Sequence, residues 1–305
     1  RAAGAEAAAA EARADAAEAA LIYEVRTAYY DLALADARVA VAEDQAAAVQ
    51  RFLLRVEERF QAGVIPLHER ARAQVEARRA HSDLLVARRD RREAQARLNR
   101  LLERPLDTPI TAADSLTAPP AMPESDVQAR AATQRPELHE QRALVRAAEE
   151  RRRLATRRLV VPDLTVAVLG RRSSEDSRPG GRVSLQVPLW TQFRGERRET
   201  AAQARAEAAE AVALSRAVEF EVWDAAEALA LARQQAEIWR DAVAQAAEAA
   251  RLAQDRYEAG RADLLVYLES RRTFREAQIS HLQALRDAWA ARAALDRSTG
   301  EGVKP

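Results

Sequence analysis

Two stretches of this chain lie 197 residues apart and share one pattern, and this repeat constrains the fold more than any other feature. The residues Arg59-Phe60-Gln61-Ala62-Gly63 match Arg256-Tyr257-Glu258-Ala259-Gly260 at that offset. The register continues without a gap over about 75 residues, from Glu24 and Glu221 to Leu98 and Leu295. Repetition at a fixed offset indicates an architecture built from copies of one supersecondary unit. The sequence therefore predicts an internal duplication.

Each unit has the pattern of a long helix, a short break and a second helix. In the first unit we expect helices from near Arg1 to Ala62 and from about Leu67 to Leu102, and in the second from about Glu196 to Ala259 and from about Leu264 to Thr299. A glycine ends each first helix, as is typical of left-handed C-caps, and Asp263 is a suitable N-cap. Helices of about 60 residues span roughly 90 Å, so they must pack side by side. We predict a mostly α fold of long antiparallel coiled-coil helices.

The composition fits long helices and excludes several classes of protein. About a third of the residues are charged (31%) and only 5% are aromatic, as in coiled coils. The 48 basic and 47 acidic residues nearly cancel, so no nucleic-acid partner is expected. The chain has no cysteine, which excludes disulfides and thiolate metal sites. It also has no run of 18 apolar residues, so no transmembrane helix is expected.

The residue types that carry catalysis or bind cofactors are not arranged in any recognisable motif. The four histidines are His68, His81, His139 and His281, and none has the helical spacing of a metal-binding pair. Serine, histidine and aspartate do not cluster, and there is no glycine-rich phosphate loop. We therefore expect no metal, no cofactor and no enzymatic activity.

The middle of the chain differs from its flanks. Residues 104–134 are rich in proline and predict a non-helical linker, after which Arg135-Pro136-Glu137-Leu138 starts a helix that runs to about Arg158. Leu164–Leu169 and Val183–Leu189 then predict two strands of a β-hairpin, joined by a polar loop over Gly170–Gly181. The alternation of apolar and polar residues fits a strand pair of a transmembrane barrel, or an amphipathic hairpin on a soluble domain.

These patterns predict six segments along the chain. Two helical hairpins flank a linker, a short helix and the β-hairpin. The expected bounds are 1–103 for the first helical hairpin, 104–135 for the linker, 136–159 for the helix, 160–194 for the β-hairpin, 195–300 for the second helical hairpin and 301–305 for the tail.

The ordered motifs resemble those of the TolC-like outer-membrane efflux proteins. Each motif is weak alone, but the order and spacing agree over essentially the whole chain. The matching segments are Glu24–Leu32, the pair Arg59–Gly63 and Arg256–Gly260, Arg135–Leu138, and Pro162-Asp163-Leu164 leading to Val187-Pro188-Leu189.

The resemblance implies a fold, a location and partners. Proteins of this family are homotrimeric ducts in the outer membrane of Gram-negative bacteria and extend into the periplasm. Each protomer gives β-hairpins to a trimeric transmembrane β-barrel in outer-membrane lipid and long helices to a periplasmic α-barrel. A periplasmic adaptor (membrane fusion protein) couples the duct to an inner-membrane efflux pump. Because the chain begins at Arg1 inside a helical pattern, we expect a preceding segment that holds a first β-hairpin.

The resemblance also suggests functional residues. The two breaks would form periplasmic tips that contact the adaptor, and an acidic residue just past the second tip would line a pore constriction. The expected tip residues are Gly63, Val64, Ile65, Pro66 and Leu67 in the first unit and Gly260, Arg261, Ala262, Asp263 and Leu264 in the second, and the expected constriction residue is Glu269. A ring of such carboxylates would favour cations. An ordinary helical-hairpin turn and a solvated surface glutamate are the alternatives.

The leading hypothesis from the sequence is a passive export duct. The alternative is a soluble coiled-coil scaffold or a periplasmic adaptor, although no β domain of the adaptor type is apparent. The segment Val187–Glu196 is similar to the corresponding segment of heavy-metal efflux channels of the CzcC kind. That similarity favours metal cations as the exported substrate.

Overall fold

The structure is a computed structural model, and it describes residues 2–112, 116–120, 127–157, 163–172, 177–186 and 194–300. Helices dominate these residues, and a single pair of strands lies between the fourth and fifth helices. The elements are α1 (Ala2–Gln61), α2 (Leu67–Leu101), α3 (Val127–Gln134), α4 (Pro136–Arg157), β1 (Asp163–Arg172), β2 (Ser177–Gln186), α5 (Arg194–Glu258) and α6 (Leu264–Thr299).

The predicted class of long helices from a duplicated unit is confirmed. Helices α1 and α5 have 60 and 65 residues, and each is followed across a short turn by a helix of 35 or 36 residues. Within the described residues, no helix has an apolar stretch long enough to cross a membrane.

Contacts divide the chain into two units that differ from the segments expected from the sequence. The first unit contains Arg1–Ala17 with Arg130–Phe220, and the second contains Glu18–Ala129 with Glu221–Pro305. Both long helices pass from one unit into the other. The six segments expected from the sequence therefore stay a prediction.

In the first unit, ion pairs and hydrogen bonds hold α4 against the long helices. Arg13 pairs with Glu140 at 2.8 Å, and Arg151 pairs with Glu6. The side chain of Gln141 donates to the backbone oxygen of Glu207 on α5 at 3.1 Å. Because the earlier residue of α1 pairs with the later residue of α4, α4 runs antiparallel to α1.

The β-hairpin of the first unit has a shorter loop than the sequence predicted. Strands β1 and β2 pair antiparallel from Asp163 opposite Gln186 to Arg172 opposite Ser177. The expected polar loop over Gly170–Gly181 was wrong at both ends, because most of its residues continue the ladder. Antiparallel pairing gives their backbone groups partners, which polar side chains alone do not provide. The predicted end of the second strand, 187–189, lies outside the described residues.

In the second unit α6 contacts α5, α1 and α2, and α1 also contacts α2. His281 on α6 donates to the backbone oxygen of Ala236 on α5 at 3.1 Å. Further pairs join α6 to α1 and α1 to α2, and small and branched apolar residues fill the seams between the helices. These pairs are Arg26 with Asp296 (2.9 Å), Arg38 with Gln283 (2.7 Å) and Arg91 with Asp36 (2.6 Å).

A polar row on α2 binds the beginning of the linker. Asn99 is fully buried, and its side-chain amide donates to the backbone oxygens of Leu106 (3.1 Å) and Thr108 (2.8 Å). Gln95 and Arg91, one and two turns earlier, donate to the backbone oxygens of Asp107 and Ile110, at 3.2 Å each. Side chains spaced by four residues share one face of a helix, so the row matches an extended segment.

Replacing Asn99 with Ala should lower the stability of the second unit. The substitution removes the donor that two linker carbonyl oxygens share, which we expect to cost about 1–3 kcal/mol of unfolding free energy. Thermal unfolding followed by circular dichroism measures the effect. Gln203→Ala, at an exposed amide of α5, is the matched control and should change stability by less than about 0.5 kcal/mol. Equal shifts in both variants would contradict the role of Asn99.

Candidate functional site

The first turn between helices is closed by a Schellman motif. Gly63 has φ = +71°, the left-handed region that glycine adopts without strain. The backbone N–H of Gly63 donates to the oxygen of Phe60, and that of Val64 donates to the oxygen of Arg59, both at 2.9 Å. These two bonds satisfy carbonyl groups that the end of α1 would otherwise leave exposed.

The second turn repeats the same arrangement 197 residues later. Gly260 has φ = +67°, and its N–H donates to the oxygen of Tyr257 at 3.0 Å. The N–H of Arg261 donates to the oxygen of Arg256 at 2.8 Å. The repeated sequence pattern therefore encodes a helix end, and the duplication places one such end in each unit of the repeat.

The helices after the turns begin differently. Pro66 occupies the N-cap of α2 in an extended conformation and has no side-chain hydrogen bond to the helix. Asp263 caps α6, and its carboxylate accepts from the N–H of Leu265 at 3.3 Å. The role of Asp263 as an N-cap, expected from the sequence, is confirmed.

An apolar cluster with three aromatic rings lies directly behind both turns. The ring centroids of Phe52 and Tyr267 are 4.5 Å apart, and that of Tyr257 lies 5.4 Å from Phe52. Ile65 from the first turn and Leu264 from the second complete the cluster, which is almost fully buried. Aromatic contacts of this kind stabilise a core beyond the area that they bury. The cluster therefore joins the two turns into one body.

Polar groups around the cluster also join the two turns. The hydroxyl of Tyr257 donates to the carboxylate of Glu69 at 3.2 Å. Arg55 pairs with Glu258 at 2.6 Å. The guanidinium of Arg59 donates to the backbone oxygen of Tyr257 at 3.3 Å and lies 5.1 Å from the centre of its ring.

The environment shifts the pKa of several of these groups. Burial, with a further contribution from the Glu69 carboxylate, raises the pKa of Tyr257 to about 12. Burial likewise raises the pKa of Tyr267. Hydrogen bonds from Gln74 and Arg70 lower the pKa of Glu57. Around neutral pH, Tyr257 therefore keeps its proton and remains a hydrogen-bond donor to Glu69.

The turns expose a patch of large apolar side chains. Val64 and Leu67 at the first turn are both 63% exposed, and Leu265 and Val266 at the second turn are 54% and 53% exposed. Exposed apolar patches of this kind mark interaction surfaces in soluble proteins. We call these four residues the tip patch.

The sequence-predicted tip residues divide into two groups. Ile65 and Leu264 are buried and hold the turns together, whereas Val64, Leu67 and Arg261 are exposed. Sequence reasoning did not select Leu265 and Val266 for the tip. Three consecutive apolar residues after the N-cap Asp263, Leu264 to Val266, were the available signal, because they cannot all face the core in the first turn of a helix.

Glu269, the predicted constriction residue, is exposed on α6. It lines a shallow cavity of about 440 Å³ between α2 and α6, together with Arg72, Arg79 and Arg272. Arg272 donates to Glu276 at 2.9 Å, and this bond is the main reason why its pKa is raised. The role of Glu269 in a pore stays a prediction. In the described part of the chain, no group of three or more histidine and acidic side chains is placed to hold a metal ion.

Comparison with known families decides the class of protein. A family model described as "Outer membrane efflux protein" matches residues 1–103 and 128–301, which is most of the chain. The chain belongs to this family. The family resemblance inferred from the ordered motifs is thereby confirmed, and the location of the protein is the outer membrane of a Gram-negative bacterium. None of the curated protein sequences matches the chain.

Solved structures of bacterial membrane proteins share the fold. The outer membrane protein VceC from Vibrio cholerae has a TM-score of 0.85 and 20% identity, and the match covers 99% of this chain and 75% of VceC. The outer membrane channel MtrE from Neisseria gonorrhoeae, in its open state, has a TM-score of 0.82 and 21% identity, with 99% and 71% covered. A membrane protein from Pseudomonas aeruginosa has a TM-score of 0.86 and 20% identity, with 98% and 72% covered.

Replacing either turn glycine with alanine should destabilise this efflux protein without any steric clash. A Cβ at Gly63 or Gly260 would meet nothing within 4 Å, so the cost comes from the left-handed backbone and should be about 1 kcal/mol at each position. Gly4 and Gly195 are matched controls, since they lie in helices with equally open surroundings.

The same substitution at the control positions should be neutral or stabilising by up to about 1 kcal/mol, because alanine favours the helix. Thermal unfolding midpoints measure all four variants. Loss of stability at Gly4 and Gly195 equal to that at the turns would contradict the conformational explanation.

Proposed function

We propose that this chain is a protomer of a passive outer-membrane duct in a tripartite efflux system. The duct performs no chemistry of its own, and an inner-membrane pump supplies the energy through a periplasmic adaptor. Membership of the outer membrane efflux protein family is the observation that carries this proposal. The residues at the tip bear on the adaptor, the exposed faces of the helices bear on the trimer, and Glu269 bears on the narrow end of the duct.

The tip patch is the surface that we propose for the adaptor. Val64, Leu67, Leu265 and Val266 are exposed apolar residues at the ends of rigid helical hairpins. Exposed apolar residues on a well-supported turn suit a protein partner, because binding does not first have to order the surface. Arg261 lies beside them and is exposed, so it can contribute a polar contact at the rim.

The helices at the two edges of the second unit suit a homotrimer. Away from the tip, the outer face of α5 carries exposed Leu231 (57%) and Ile238 (59%), on the side opposite the buried residues that pack on α6. On α2, Leu85 is 54% exposed, and Val86 is 53% exposed and lines the open cavity that α2 forms with α1. Two unlike apolar edges on one protomer suit head-to-tail association, which closes into a ring when the rotation permits.

Charge supports the same pairing of α2 with α5 of the next protomer. Asp83 on α2 pairs with Arg275 on α6, and His281 on α6 contacts Ala236 on α5. These two contacts fix which residues of α2 and α5 lie at the same height along the helix axes. In a symmetric ring, these heights put basic residues of α2 opposite acidic residues of α5. The matching residues are Arg78 with Glu248 and Arg89 with Glu237, all of them exposed.

We further propose that Glu269 lines the narrow end of the duct, where a ring of three carboxylates would favour cations. Its exposure near the tip is compatible with this role. Metal cations are the substrate class that the sequence favours, on the similarity of Val187–Glu196 to heavy-metal efflux channels. Residues 187–193 of that segment lie outside the described residues.

The oligomeric state in the outer membrane tests the proposal. The full-length protein is extracted with detergent from outer-membrane fractions, and its mass is measured by light scattering, with heat-modifiability followed on a gel. A heat-modifiable trimer supports the duct. A soluble monomer or dimer would contradict it and leave a coiled-coil scaffold as the better interpretation.

Replacing Glu269 with Gln should reduce the cation selectivity of the reconstituted trimer. Removing one carboxylate from each protomer weakens the negative potential at the constriction. The reversal potential in a salt gradient across a planar bilayer should move toward zero. Glu210→Gln removes an exposed carboxylate of α5 far from the tip and is the matched control. An unchanged reversal potential in Glu269→Gln, or an equal shift in both variants, would contradict the constriction role.

A further inference from the structure

The end of α4 nearest the β-hairpin carries an unusual cluster of positive charge. Residues 151–157 contain four arginines and no acidic residue. Arg151 pairs with Glu6, and Arg153 pairs with Glu150 at 2.7 Å. Arg152 and Arg157 are exposed and have no ion-pair partner among the residues that the structure describes. The helix end therefore has more positive charge than its own surroundings neutralise.

The cluster also surrounds a surface cavity. Arg152, Arg153, Arg157 and Thr156 line an open cavity of about 450 Å³, and Glu149 lies on its rim one turn earlier. The hydroxyl of Thr156 donates to the backbone oxygen of Arg152 at 2.9 Å. Three guanidinium groups around one cavity match the chemistry of a phosphate group, which arginine binds through paired N–H donors.

The beginning of α5 adds two arginines at the same height. Gln141 contacts Glu207, and the β-hairpin, whose ends pair at Asp163 and Gln186, joins the end of α4 to the beginning of α5. Counting from that contact toward the hairpin places Arg152 and Arg197 at nearly the same level. Arg197 and Arg198 are exposed and have no ion-pair partner within the described ranges, although Glu196 and Glu199 beside them lower the net charge of this helix end. The two arginines extend the positive band of α4 onto α5.

The band lies close to the β-hairpin along the chain. Five residues separate Arg157 from Asp163, the first residue of β1, so the two cannot lie more than about 22 Å apart. Each strand has 10 residues, which is about 33 Å of chain and about 25 Å when tilted as barrel strands are. That height matches the apolar band of an outer-membrane barrel. A hairpin that spans the membrane would bring the arginines to the level of the lipid headgroups.

An exposed apolar residue lies within the basic band. Leu154 is 52% exposed between Arg153 and Ala155, although the rest of the accessible face of this helix end is charged or polar. A leucine beside arginines suits the interface between headgroups and acyl chains, where an apolar side chain is shielded from water.

We infer that Arg152, Arg153 and Arg157, together with Arg197 and Arg198, bind the phosphate headgroups of anionic phospholipid in the periplasmic leaflet of the outer membrane. This inference rests on the proposed function, since it requires the hairpin to lie in the membrane. The band fixes the depth of the protomer, because electrostatic attraction to anionic headgroups acts only near the membrane surface.

The test uses the full-length protein in nanodiscs of phosphatidylcholine alone or of phosphatidylcholine with phosphatidylglycerol. The thermal midpoint of trimer dissociation is read on semi-native gels. We expect phosphatidylglycerol to raise the midpoint of the unmodified protein by several degrees. High salt should diminish the gain, because it screens exposed charges.

The gain should disappear in R152Q/R153Q/R157Q and persist in the control R146Q/R205Q/R216Q. The control also removes three exposed arginines of the same unit, and Arg216 pairs with Glu219 as Arg153 pairs with Glu150. A gain that survives in the first variant, or disappears equally in both, would overturn the inference.

Two further outcomes separate this inference from the proposed function. If inorganic phosphate in phosphatidylcholine discs produces the same gain, the arginines form a site for soluble anions and the lipid assignment is wrong, while the duct stands. If the protein enters neither kind of disc as a trimer, the proposed function fails and the lipid assignment fails with it.

Discussion

The left-handed glycine at the end of each long helix is the constraint on which the rest of the structure depends. The sequences on both sides of the two turns contain few helix breakers, so the long helices can reverse direction only at Gly63 and Gly260. The Schellman bonds at these glycines fix the direction in which the next helix leaves. The reversal brings Tyr257 to Glu69 and stacks the aromatic rings behind the turns. A helix end encoded by five residues thus determines a rigid tip.

The turns pair the helices antiparallel, and each helix keeps an exposed face outside these contacts. Alanines and scattered large residues fill the seams α5–α6, α6–α1 and α1–α2, while α5 and α2 keep exposed leucine, valine and isoleucine. Exposed apolar residues and complementary charges on α2 and α5 support the proposed ring of protomers.

Local signals explain what the sequence could predict, and tertiary contacts explain what it could not. Gly63, Gly260 and Asp263 act within a few residues of their position, so their roles could be inferred directly. The burial of Ile65 and Leu264 depends on Phe52 and Tyr267, which are distant in sequence. The interaction of Asn99 with the linker likewise depends on the path of a proline-rich segment. The loop of the β-hairpin was predicted too long, because polar residues gave no sign that the two strands continue to pair.

Cross-linking between protomers tests the central claim most directly, that the α5 edge of one protomer packs on the α2 edge of the next. The chain has no cysteine, so Leu85→Cys and Ile238→Cys introduce the only thiols. With both substitutions in one chain, a short bismaleimide applied to outer-membrane fractions should give covalent trimers on a denaturing gel, and neither single substitution should give any cross-linked product. Covalent dimers from Leu85→Cys alone, or no product from the double variant in an intact trimer, would contradict the head-to-tail ring.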